Sequence, residues 1–224
     1  MHVEPGIVHG AKMALSFATA AGAGTYALKL AFDGLKDKGI ASLASRTLLA
    51  MASTFTFFQV LPHFPVGVSE VHFILGSTLF LIFGVAPAAI GLALGLLLQG
   101  MLFAPTDLPM YFVNVTTLLV PLFVVSALAK KIIAPNTAYV DLTYKQALKL
   151  STAYQAGIVS WVAFWVLYGQ GFGAEVLASV GSFGLAYMMV ILIEPIADLA
   201  ILKLAKTARG LEGSGLVNQR VYQA

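Results

Sequence analysis

The sequence predicts an all-α membrane protein of about seven transmembrane helices, with its N-terminus outside and its C-terminus in the cytoplasm. Three observations carry this reading: composition, the spacing of apolar stretches and the sidedness of basic residues. Of 224 residues, 59% are hydrophobic and 10% charged, with a mean hydropathy of +0.88, against roughly 25% charged in soluble domains. So few charges cannot coat a water-facing surface of this size. With no cysteine, disulfides, thiolate catalysis and thiolate metal sites are excluded, and any metal must be held by nitrogen or oxygen.

The opening residues carry no basic segment before the first apolar stretch, so they read as retained rather than as a cleaved signal. Against a spanning length of about 20 residues, apolar stretches run over 12–31, 44–61, 69–84, 87–104, 112–129, 147–168 and 177–202. The third and fourth nearly abut at 85–87, which predicts a tight helical hairpin or a helix that begins partway into the membrane. With seven spans, Lys29, Lys36, Lys38 and Arg46, then Lys130, Lys131, Lys145 and Lys149, then Lys203, Lys206, Arg209 and Arg220 all fall on one side. The positive-inside rule makes that side cytoplasmic, with Lys12 the exception. Residues 1–209 then form one polytopic domain, and 210–224 a polar, mobile cytoplasmic tail.

All four histidines, His2, His9, His63 and His72, fall on the opposite, outer side. His2 is the most specific of them. A bulky second residue favours retention of the initiator, so the chain is expected to start with a free Met1 amine next to an imidazole. That amine, the deprotonated His2 amide and His2 Nδ1 can close two fused chelate rings around a metal. A fourth nitrogen from His72 or His63 completes a square plane, the geometry that selects Ni(II) or Cu(II), and Co(II) by distortion, over Zn(II), Mg(II) or Ca(II).

The start Met1-His2-Val3, Gly6, the seven-stretch chain and the Ser69-x-x-His72 segment after the second stretch resemble the substrate-binding membrane component of cobalt and nickel energy-coupling-factor transporters, the CbiM/NikM family. The resemblance covers most of the chain. It implies capture of Co2+ or Ni2+ as the transported ligand by Met1, His2 and a loop histidine. His72 matches that histidine best by position, and His63 competes. It also implies that Asn114 lies near the site, that a membrane coupling subunit and cytoplasmic ATPase subunits are partners, and that the chain lies in a bacterial inner membrane. The chain departs from the family pattern in two places. Glu4 and Pro5 are exchanged relative to the usual opening. The loop, usually Gly-Gly-Thr-Ser-Gly-His, reads Gly67-Val68-Ser69-Glu70-Val71-His72, one residue longer between serine and histidine. Ser69 and Glu70 are candidates for orienting the ligands from behind, Glu70 either as the acceptor that fixes an imidazole tautomer or simply as a solvated acid.

Two strips of small residues, Ala14, Ala18 and Gly22, and Gly91 with Gly95, suit close helix packing, either inside the bundle or against a partner. Glu194 and Asp198 share one helical face in the last stretch. They are expected to reach the inner interface and pair with Lys203 or Lys206, or to serve release or docking. No phosphate-cradling loop and no hydrolase triad is present, so ATP must bind on other subunits. The net charge of +3 is accounted for by the cytoplasmic loops, leaving no role for nucleic acid. The alternatives to uptake are a stand-alone membrane metal carrier or sensor, and a membrane scaffold with incidental histidines.

Overall fold

The computed structural model describes residues 2–223, except the side chains of Asp37, Lys38 and Arg209, and 78% of the chain is helical. α1 runs Met13–Gln59 and turns sharply at Gly39, whose φ of 73° only glycine adopts readily. A short antiparallel hairpin follows, β1 (Phe64–Val66) and β2 (Ser69–Val71). Then come α2 (Gly76–Phe83), α3 (Val85–Leu102), α4 (Tyr111–Ile132), α5 (Tyr144–Gln170), α6 (Ala174–Met188) and α7 (Glu194–Thr207). Among the described residues five helices are long and apolar enough to cross a membrane: Gly39–Gln59, Val85–Leu102, Pro105–Ile132, Tyr144–Gln170 and Ala174–Thr207.

Two of the seven apolar stretches fall outside those five. The first half of α1, over 13–38, is helical but rich in Ala, Gly and Thr, which lowers its hydropathy. The stretch 69–84 divides into β2, an irregular passage and the eight-residue α2, far shorter than a membrane is thick. The division falls at Leu75, whose φ of 52° lies in the left-handed region. Ser69–Val71 is extended because it pairs with β1, which overrides the apolar pattern that suggested a helix.

α2 is the central pillar of the bundle. All its residues except Phe83 are buried, and its ends are held by opposite charges. In its first turn Ser77 Oγ donates to Asp198 Oδ2 at 2.9 Å and Thr78 Oγ1 donates to Asp198 Oδ1. At its other end Arg46 Nη1 donates to the Phe83 carbonyl at 2.9 Å and the Asn218 amide to the Ile82 carbonyl at 2.6 Å. An acid at the N-terminus and a base at the C-terminus both complement the helix dipole.

These contacts correct two expectations. Glu194 and Asp198 are fully buried instead of reaching an interface, and Lys206 pairs with Asp141 at 2.6 Å instead. The segment after Gly210 is not loose: Val221 is buried, Tyr222 Oη donates to the Ala205 carbonyl at 2.6 Å and Arg220 lies over the Tyr139 ring. Polar composition concealed a docked segment because its few apolar side chains are the ones that anchor it.

The small-residue strips have different fates. A Cβ on Gly91 would stand 2.5 Å from Ala50 Cβ, and one on Gly95 2.7 Å from Thr54 Cβ, so this strip serves internal packing of α3 on the second half of α1. Ala14, Ala18 and Gly22 are exposed, and nothing lies within 4 Å of a Cβ on Gly22. Gly91→Leu is therefore expected to lower stability by about 1–3 kcal/mol through overpacking, seen as a lower thermal midpoint, while Gly22→Leu leaves that midpoint unchanged.

Candidate metal centre

The site forms where the N-terminus is sewn onto the hairpin. Val3 pairs with Ser69 in an isolated antiparallel bridge, the Glu70 amide donates to the His2 carbonyl at 3.2 Å and the Glu4 amide to the Val68 carbonyl at 3.2 Å. Residues 2–4 thus extend β2 as a third strand. Ser69 Oγ donates to the His2 carbonyl at 2.9 Å, and the Val3 amide donates to Asn114 Oδ1 at 2.9 Å. The sequence-predicted Ser69 and Asn114 therefore act on the backbone of the N-terminal strand and fix where His2 lies. Val3, with no exposed surface, anchors the strand in the core.

His2 and His72 are both buried, with ring centroids 5.3 Å apart. Phe58 packs on both rings, at 5.8 Å from His2 and 4.9 Å from His72, and provides an apolar wall. Glu70 Oε2 accepts from His2 Nδ1 at 2.8 Å and from His72 Nε2 at 2.9 Å. The two nitrogens and this oxygen converge on one spot, all within 4.8 Å of one another. Asp107 Oδ2 also lies 3.2 Å from His2 Nδ1. Met1 lies outside the described residues.

No helix start holds His72. The helix begins only at Gly76; His72 instead follows β2 directly and is held by burial between Phe58 and His2. His63 is exposed and stacks on the outer face of His72, with centroids 4.7 Å apart and planes 10° from parallel. His9 is exposed, with its Nδ1 3.2 Å from the Gly6 carbonyl oxygen.

Burial sets the electrostatics. It pushes the imidazole of His72 down to about 2 and lowers that of His2, against the opposing hydrogen bonds from Glu70. Both rings are thus held in the neutral form that ligates metals. Burial alone would raise the Glu70 carboxyl, but its bonds to His2 and His72 outweigh this and hold it well below the usual carboxylate range. Neutral nitrogens beside an ionised carboxylate give a pocket whose charge suits a dication. This donor set, imidazole with carboxylate, is that of a borderline transition-metal ion.

The family model for the cobalt uptake substrate-specific transmembrane region, CbiM, matches residues 2–210. The chain belongs to this family. No curated protein and no solved structure matches it. As a CbiM-family chain it is a multi-pass membrane component of cobalt uptake, and Co2+ is the ion that the family concerns.

Asp107 escaped sequence reasoning as a site residue. Its signal was available: it is the one acid in the short turn between the fourth and fifth apolar stretches, framed by Pro105 and Pro109. Phe58 carried no signal distinguishing it from its apolar neighbours.

The depressed His72 value has a consequence for stability. A group whose folded pKa lies below its unfolded one stabilises the fold above the unfolded value, here 6.5, and that contribution is lost as pH falls. The metal-free protein is expected to lose thermal midpoint progressively below pH 6.5, and His72→Phe to flatten that dependence. Thermal unfolding followed by Trp161 and Trp165 fluorescence across pH checks both.

Proposed function

We propose that the chain is the substrate-capture component of a Co2+ or Ni2+ uptake transporter, taking the ion on the outer face of a bacterial inner membrane. Met1, through its amine, His2, through its amide and Nδ1, and His72, through Nε2, are the ligands. The observation that carries this reading is the convergence of His2 Nδ1 and His72 Nε2 on one point, 2.8 and 2.9 Å from the same oxygen of Glu70. Two imidazole nitrogens aimed at one point are arranged for a cation; Glu70 stands there as the counter-charge. It gives way to the ion and remains beside it as the acceptor that orients the rings, with Asp107 as a second negative charge. His63, stacked on His72, covers the site without ligating.

The orientation with the N-terminus outside, and a count of about seven spans, rest on the grouping of basic residues and on the additional helical stretch over 13–38. That stretch leaves Ala14, Ala18 and Gly22 uncovered, a smooth strip suited to a membrane coupling subunit. ATPase subunits on the cytoplasmic side would supply the energy, since the chain has no phosphate-cradling motif.

Calorimetric titration of the purified protein with Co2+ and with Ni2+ tests the reading. Extending the chain by one residue before Met1, which turns the amine into an amide, is expected to abolish tight binding while the protein still inserts. His72→Ala is expected to lose binding, His63→Ala to keep it, and Glu70→Gln to weaken it about 10–100-fold, as loss of an orienting partner does. Native affinity in the extended protein would remove Met1 from the site. Lost binding in His63→Ala with native binding in His72→Ala would exchange the two histidines.

A further inference from the structure

A second polar cluster lies in the apolar interior, away from the histidines. Glu194 and Asp198 on α7 are completely buried. Ser151 Oγ and Gln155 Nε2, both from α5, donate to the same oxygen of Glu194, Oε2. Asp198 accepts from Ser77 on one oxygen and Thr78 on the other. Every one of these donors is neutral.

The two carboxyls are solvated differently. Asp198 has a donor on each oxygen and stands at the N-terminal turn of α2, where the dipole favours an anion. Glu194 has both donors on Oε2, and its Oε1 has no hydrogen-bond partner among the described residues. Two further buried atoms are orphaned beside it: Gln155 Oε1, on the amide that already contacts Glu194, and the hydroxyl of Tyr187, which is fully buried and within electrostatic reach of Glu194 and Tyr154. Glu194 Oε1 and Gln155 Oε1 are both acceptors left without a donor among the described residues. A proton on Glu194 Oε1 turns that atom into a donor, and the amide that already donates to Glu194 Oε2 carries, in Gln155 Oε1, a buried acceptor in need of one.

Charge leads to the same place. Two ionised carboxylates on one face of one helix, buried and offered only hydroxyl and amide donors among the described residues, repel each other without a compensating cation among those residues. The groups facing the pair are Ser77 and Thr78 from α2, Ser151, Tyr154 and Gln155 from α5, and Tyr187 from α6. None is a base.

We infer that the Glu194–Asp198 pair is a proton-binding site inside the membrane domain, with one proton held on Glu194 Oε1 and Asp198 ionised. The site fastens α2 to α5 and α7, and α2 begins four residues after His72. Removing the proton leaves two anions in the cluster and loosens that attachment.

Infrared spectroscopy of the full chain in lipid, at neutral pH, reads the proton directly. A protonated-carboxyl C=O band is expected. It should shift in protein grown with carboxyl-¹³C glutamate, stay in place with labelled aspartate and vanish in Glu194→Gln. The labelling needs no variant, so it decides the matter even if Glu194→Gln does not fold. Raising the pH should lower the thermal midpoint of the native protein but not that of Glu194→Gln, which keeps the protonated shape. Absence of the band, or its movement with labelled aspartate, would overturn the assignment. So would its loss on adding Na+ or Co2+ to protein whose outer site is disabled by His72→Ala, since a cation would then be the occupant.

Discussion

The pairing of residues 2–4 with the edge of β2 is the interaction on which the candidate site depends. An N-terminal segment has no helix to fix it and would ordinarily fray. Here its backbone is bonded on one side to Val68, Ser69 and Glu70 and on the other to Asn114 from α4, while Val3 is buried. Each bond adds only about 0.5–1.5 kcal/mol, but together they hold one strand in a single register. A shift of one residue would turn His2 away from His72 and put Val3 in its place. The close approach of Ile7 to α5 continues the same anchoring: a Cβ on Gly169 would lie 2.0 Å from the Ile7 carbonyl oxygen, so only glycine admits the chain there.

A non-helical segment buried in a protein must find partners for its amides, because water does not reach them. The hairpin and the N-terminal strand meet that demand by bonding to each other. This explains why a small sheet occurs in an otherwise helical chain. In the extended β2 segment Ser69 and Val71 fall on one face and Glu70 and His72 on the other. The carboxylate and the imidazole therefore share a side, and Glu70 lies between the two histidines.

What the sequence revealed and what it concealed follow from the range of the forces involved. Long apolar stretches were legible because a spanning helix is a local pattern, and α3, α4 and α5 match their predicted stretches closely. His2, His72, Ser69 and Asn114 were legible as candidates through resemblance, and the structure gathers all four. The hairpin was not, since three-residue strands owe their existence to each other rather than to propensity. Asp107 and Phe58 reach the site from the turn before α4 and the end of α1, contacts that no local window contains. Arg46 shows the same limit: it counted toward the sidedness of basic residues, yet it is buried against the end of α2.

Both polar clusters border α2, and this gives the short helix its significance. A helix of eight residues would be marginal alone, so its position is set by what holds its ends. At one end stands the Asp198 carboxylate, with Glu194 one turn away on α7; at the other stand the Arg46 guanidinium and the backbone of the C-terminal segment at Asn218. The chain leading into it from His72 is Phe73, Ile74 and the strained Leu75. A Cβ on Gly76 would stand 2.2 Å from the Tyr154 ring, so α2 also has no freedom to slide sideways against α5. The remaining freedom is along or about its own axis, between the buried acids and the buried arginine. A change in charge at either end is thus the perturbation to which this helix is mechanically most exposed, and only Phe73, Ile74 and Leu75 separate it from His72.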